Sequence, residues 1–197
     1  MTRSNLVAIG LRAKTGRAIA VVLGGPPESP IVILKTEIRL TDPKVPATAQ
    51  PYHEVMDLPW DKSQQAAART ARAIERVATK VLKEIIEELR ANGQKVAAAG
   101  IVGAPDRELA RIGNPHIRAH AAEGVLFRHA LELGARSNGL KLRAFSDRDF
   151  DKSAAAELGG DYAGLKQRLD HLRQAVAPPW RADEKHAAMA AWMVLNR

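Results

Sequence analysis

Three apolar runs of strand length, at residues 6–11, 18–23 and 31–40, open this chain, and every later apolar run is separated from them by a segment long enough for a helix. Strands joined by short turns pair antiparallel, whereas strands joined across a helix return parallel. Val7-Ala8-Ile9-Gly10-Leu11 and Ala18-Ile19-Ala20-Val21-Val22-Leu23 flank a basic turn containing Arg12, Lys14, Gly16 and Arg17, which reads as a β-hairpin. A second turn follows at Gly24-Gly25-Pro26-Pro27, where Gly permits positive φ and Pro fixes φ. It is a turn and not a phosphate loop, because the prolines lack the N–H groups a phosphate cradle needs. The third run is apolar through Ile31-Val32-Ile33-Leu34, then alternates Lys35, Glu37 and Arg39 with Thr36, Ile38 and Leu40, as on a strand with one wet face.

The period then changes. Residues 41–60 hold four prolines (Pro43, Pro46, Pro51, Pro59) and form a loop long enough to be either functional or mobile; its His53, Glu54 and Asp57 read as solvated loop residues. Asp61 and Gln64 have the spacing of a capping box. Ala67, Ala71, Ile74, Ala78, Val81, Leu82, Ile85 and Leu89 then make one apolar stripe, ending at Asn92-Gly93, which predicts a long amphipathic helix. Residues 95–103 are apolar enough for a buried parallel strand. Asn114-Pro115 is an N-cap followed by proline at the first helical position, and that helix is expected to reach about residue 135. A fifth strand at 140–145 and helices near 152–158, 162–176 and 183–195 complete the order, with Pro178-Pro179 between the last two helices and Trp180 and Trp192 as their anchors to the core. The expected fold class is therefore α/β: a mixed five-stranded sheet, its first three strands antiparallel, flanked by helices, with the first strand central beside the fourth. The expected organisation is one domain over 1–197, with the Pro-rich loop at 41–60 and extra C-terminal helices over 152–197.

Composition narrows the functional classes. A chain of 197 residues buries roughly 70% of its unfolded surface. Aromatics are only 4%, so the core must be mainly Ala, Leu, Ile and Val. With no cysteine, disulfides and thiolate metal sites are excluded. No apolar run is long enough to span a bilayer and residues 1–5 lack a leader's apolar segment, so a cytoplasmic protein without membrane attachment is expected. A formal net charge of +8 favours polyanionic partners such as DNA or RNA, although a solvated basic surface has the same composition.

Four segments carry a family resemblance: Gly10-Leu11-Arg12 with Ala18-Ile19-Ala20-Val21; Ile101-Val102-Gly103-Ala104-Pro105; Phe145-Ser146-Asp147-Arg148-Asp149 followed by an Ala-rich helix; and Asp183-Glu184 ahead of Ala187-Ala188-Met189-Ala190-Ala191. In order and spacing they resemble the ribonuclease H-like superfamily, and within it the RuvC-type Holliday-junction resolvases and their YqgF relatives. The resemblance implies phosphodiester hydrolysis by two divalent cations, Mg²⁺ or Mn²⁺, held by carboxylates from the first strand, the fourth-strand end and the last helix. Arg12 stands where the first carboxylate belongs, and an arginine neither deprotonates nor ligates a metal. The resemblance leaves Asp106, with Glu108 beyond it, and Asp183 or Glu184 as metal-holding carboxylates, with Asp147 and Asp149 nearby. Asp106, Asp183 and Asp147 are the candidate catalytic residues, and Arg12, Lys14, Arg17 and Arg148 the candidate phosphate contacts.

Bland roles compete at each position. Asp147, Asp149 and Asp151 straddle a strand-to-helix turn where Asp commonly caps, and Asp183 serves equally as cap or ligand. His116 and His120 are one helical turn apart with Glu123 near the same face; without an H-E-x-x-H pattern or an identified third ligand they read as partly exposed helix histidines. Three functions follow: a nucleic-acid-associated resolvase-like protein with a degenerate metal site; an active Mg²⁺- or Mn²⁺-dependent structure-specific nuclease using relocated carboxylates; or a non-catalytic structural subunit, for example a homodimer through the long helix. A sugar-kinase or actin-type ATPase is disfavoured, since these need two such domains and an acidic phosphate hairpin.

Overall fold

The structure is a computed structural model that describes residues 5–159 and 162–195. Five strands, β1 (Leu6–Lys14), β2 (Arg17–Gly24), β3 (Ile31–Arg39), β4 (Lys95–Gly103) and β5 (Lys141–Ser146), form one sheet in the order β3-β2-β1-β4-β5. β1, β2 and β3 pair antiparallel, and β1–β4 and β4–β5 pair parallel, so the first strand is central beside the fourth as the connection lengths required. The helices are α1 (Trp60–Ala91), α2 (Pro115–Ser137), α3 (Phe150–Leu158), α4 (Tyr162–Leu172) and α5 (Ala182–Leu195). β1 and β2 run further into their turn than the apolar run alone indicated, because Arg12 and Lys14 continue the ladder opposite Ile19 and Arg17.

Alternation along β1 divides the core. Val7, Ile9, Leu11 and Ala13 face α1 and α2, where they meet Ile74, Leu82, Phe127 and Leu131. Ala8 faces the other way, with Ile19, Val21, Phe150 and the residues of α5. α5 is apolar all round because it is enclosed all round: Ala187 to Val194 are buried without a break. The sheet opposes it with glycine. A Cβ on Gly10 would lie 1.7 Å from the Ala187 carbonyl oxygen, and one on Gly100 would lie 2.4 Å from that of Ala190. Gly10 and Gly100 are register partners, so helix backbone rests on sheet backbone across two adjacent strands.

Two local expectations are corrected. α1 starts at Trp60 with Pro59 at the N-cap position, and no side chain caps it, so Asp61 and Gln64 make no capping box. Instead the Ser63 hydroxyl turns back toward the carbonyls of Val55 (2.9 Å) and Leu58 (3.1 Å), fixing the loop to the helix. The Pro-rich loop is correspondingly ordered. Two single 3-10 turns, Pro46–Thr48 and His53–Val55, lie within it, and buried Thr48 bonds to Asp42 and Val45. α2 behaves as its sequence dictates: the Asn114 side chain accepts from the Ile117 N–H at 3.0 Å, ahead of Pro115. Trp192 anchors α5, its indole N–H donating to the Pro27 carbonyl at 2.8 Å, and Trp180 packs against the same core.

Candidate functional site

β1, β4 and β5 end along one edge of the sheet, and α5 begins there, since its first turn meets Lys14. In open α/β sheets the carboxyl ends of parallel strands, where the connections diverge, are the usual location of a site. Arg12 points from that edge toward α5, with its side chain only 12% exposed. Nη1 and Nη2 each lie 3.2 Å from Asp147 Oδ2, and Nε lies 3.4 Å from Asp183 Oδ1. The Lys14 ammonium reaches the same Asp183 oxygen at 3.4 Å. Asp147 is positioned by its backbone N–H, which donates to the Gly103 carbonyl at 2.9 Å where β5 ends beside β4. Asp183 is in the first turn of α5, where the helix dipole favours an anion. Asp183 lies inside that turn and not at its cap, and Glu184, which is buried, accepts from the Arg181 backbone N–H at 2.7 Å.

Two cations and two carboxylates thus form a compensated cluster. It does not fit a pair of hard divalent ions: a guanidinium that stays protonated occupies the side of both carboxylates that such ions would need. Asp106 is not part of this cluster. Its carboxylate accepts from Arg128 and lies 2.9 Å from His129 Nε2, both on α2. Arg128 is buried, packs beneath Gly103 and also binds Glu132 at 2.6 Å. The carboxylate after β4 is therefore drawn to the α2 side of the sheet, while Asp147 and Asp183 gather on the α5 side.

The remaining sequence candidates are dispersed. Arg17 pairs with Glu37 across the exposed β2–β3 surface. Arg148 is exposed in the turn after β5. Asp149 takes the N-cap position of α3 without a side-chain hydrogen bond, so its capping role is only positional. Asp151 lies 2.9 Å from His186 Nε2 and Asp147 pairs with Arg12, so neither caps.

Sequence reasoning missed one cluster at the same edge. His53, read as a solvated loop residue, is largely buried and meets both helix histidines, with ring centroids 5.0 Å from His116 and 4.3 Å from His120. Glu123 is fully buried beneath them, and one of its oxygens accepts from His53 Nδ1 (2.8 Å) and from the backbone N–H groups of Tyr52 and His53 (3.2 Å each). The histidine spacing on α2 was legible; the third ring, brought by a loop 63 positions earlier (116 − 53), carried no signal. Beside it, burial pushes the Tyr52 phenol up, and its ring stacks on Trp60 at 5.5 Å.

Comparison with solved structures identifies the class of fold. The structure of Thermus thermophilus RuvC in complex with a Holliday junction substrate matches over 95% of this chain and 91% of that one, with a TM-score of 0.53 and 12% identity. A second T. thermophilus RuvC structure matches over 95% and 92%, with a TM-score of 0.49 and 11% identity. The fold is ribonuclease H-like, of the RuvC type. No family model matches the sequence, and no curated protein matches it. Among the described residues, no helix is long and apolar enough to cross a membrane.

Proposed function

We propose that this chain binds nucleic acid on a RuvC-type fold and does not hydrolyse it by a two-metal mechanism, its carboxylate cluster being neutralised internally. The observation behind this reading is Arg12, which bridges Asp147 and Asp183 at the edge where the fold's metal-holding carboxylates are expected. The formal charge of +8 and the junction substrate held by T. thermophilus RuvC support a nucleic-acid partner. In this reading Arg12 and Lys14 hold the cluster together, and phosphates are met by exposed bases such as Arg148. Mg²⁺ or Mn²⁺ is then not a resident cofactor of the cluster.

The test is fluorescence anisotropy on a labelled four-way DNA junction, with duplex DNA and single-stranded RNA as comparisons, together with a cleavage assay in Mg²⁺ and in Mn²⁺. Binding that weakens by about 0.9 log units per phosphate contact for each tenfold rise in salt on B-form duplex, without cleavage, is expected. Absence of binding at low salt overturns the nucleic-acid reading. Metal-dependent cleavage that disappears in Asp183→Asn overturns the inactive site and establishes the relocated-carboxylate nuclease.

A further inference from the structure

We infer that His53, His116 and His120 form a binding site for a Zn²⁺-like first-row divalent ion, separate from the Arg12 cluster and independent of the nucleic-acid reading. One ring nitrogen from each of the three residues falls within 4.8 Å of those of the other two. His116 Nε2 and His120 Nε2 are 3.1 Å apart, near the roughly 3.3 Å edge of a tetrahedron with Zn–N arms of about 2.05 Å. The three rings meet pairwise edge to face, with centroids 4.3 to 5.0 Å apart.

The buried groups supply the second, independent argument. His53 Nδ1 lies 2.8 Å from Glu123 Oε1, and because a carboxylate accepts, the neutral ring in this arrangement donates from Nδ1 and carries its lone pair on Nε2. That Nε2 is buried and has no hydrogen-bond partner. A buried acceptor without a donor is costly, and a metal ion satisfies it directly. The carboxylate–histidine pair is the arrangement that orients a metal-bound imidazole and raises its basicity. Glu123 Oε2 is likewise buried and unpartnered, so the loop encloses a negative charge that a dication on His53 would offset. Glu123 is a positioning residue here, not a ligand. The donor set is all imidazole, which suits Zn²⁺ and its neighbours and not Mg²⁺ or Ca²⁺. Three protein ligands leave a fourth position, and because His116 and His120 are exposed it opens to solvent, where a water or an anionic ligand completes the shell.

The experiment is a Zn²⁺ titration of untagged, chelator-stripped protein against a chromophoric chelator, with Tm recorded in parallel. One equivalent per chain is expected, with a rise in Tm on loading. His116→Ala and His120→Ala change exposed side chains, so their apo Tm stays near that of the parent while the high-affinity equivalent is lost. Glu123→Gln keeps the fold and weakens binding by roughly 10- to 100-fold, as loss of an outer-shell partner does. Failure of the parent to compete with the chelator overturns the site, as does affinity unchanged in both histidine variants. Equal affinity in Glu123→Gln overturns the positioning role.

Discussion

Replacing Arg12 with leucine removes the guanidinium from Asp147 and leaves Asp183 with Lys14 as its remaining cation. At an effective dielectric near 20, a unit-charge contact at about 4 Å is worth roughly 4 kcal/mol before desolvation is subtracted. The net value of such a pair is therefore small, but orphaning its partners is not. Both aspartates keep about 30% exposure, so the expected loss for Arg12→Leu is about 1–3 kcal/mol, below that for a fully buried pair. Urea denaturation measures it, and adding Asp147→Asn to that variant should restore part of the loss. If Arg12→Leu is neutral, the cluster is not coupled to folding. Arg12 could be singled out from the sequence because a cation stands where the resemblance of the first hairpin places a carboxylate. The sequence also offers Asp147 and Asp183 as candidate carboxylates, but not their pairing with Arg12, since they lie 135 and 171 positions away and reach it only through β5 pairing and α5 docking. Asp106 misled for a similar reason: nothing local reveals that Arg128, 22 positions on, turns it toward the opposite face.

Elements were more legible than sites because periodicity is local and packing partners are not. α1 and α2 announced themselves by apolar spacing and by Asn114-Pro115. Removing that cap with Asn114→Ala should cost about 0.5–2 kcal/mol, read as a shift in the denaturation midpoint at unchanged slope. The start of α1 falls within a residue of its expected place, but not with the expected capping box, because the chain's entry is held by the loop's own hydrogen bonds through Ser63, which no helix-start pattern encodes. α5 is the reverse case: its alanines looked like a weak motif, and their purpose is visible only once Gly10 and Gly100 lie beneath them. Gly10→Ala drives a methyl into a carbonyl oxygen and should cost about 3 kcal/mol or more, the upper end for overpacking. A fully folded Gly10→Ala protein of parental Tm would mean that α5 does not rest on the sheet.

At the scale of the whole molecule, the sheet edge where β1, β4 and β5 end bears two polar clusters on opposite faces. Arg12, Lys14, Asp147 and Asp183 lie on the α5 side, and His53, His116, His120 and Glu123 on the α2 side. They respond to different conditions. Affinity for a DNA junction should fall steeply between about 50 and 200 mM salt, as counterion release requires, while Zn²⁺ loading should be little altered over that range. Parallel anisotropy and chelator titrations across one salt series separate the two, and a shared salt profile would mean that one surface serves both ligands.

The glycine contacts under α5 have a consequence for how this edge can vary. Where backbone meets backbone there is no side chain to resize, so the helix works as a fixed gauge and holds the carboxylate in its first turn at a constant gap from β1. Whatever fills that gap, tethered cation or free ion, must suit a dimension that mutation elsewhere along the helix cannot adjust.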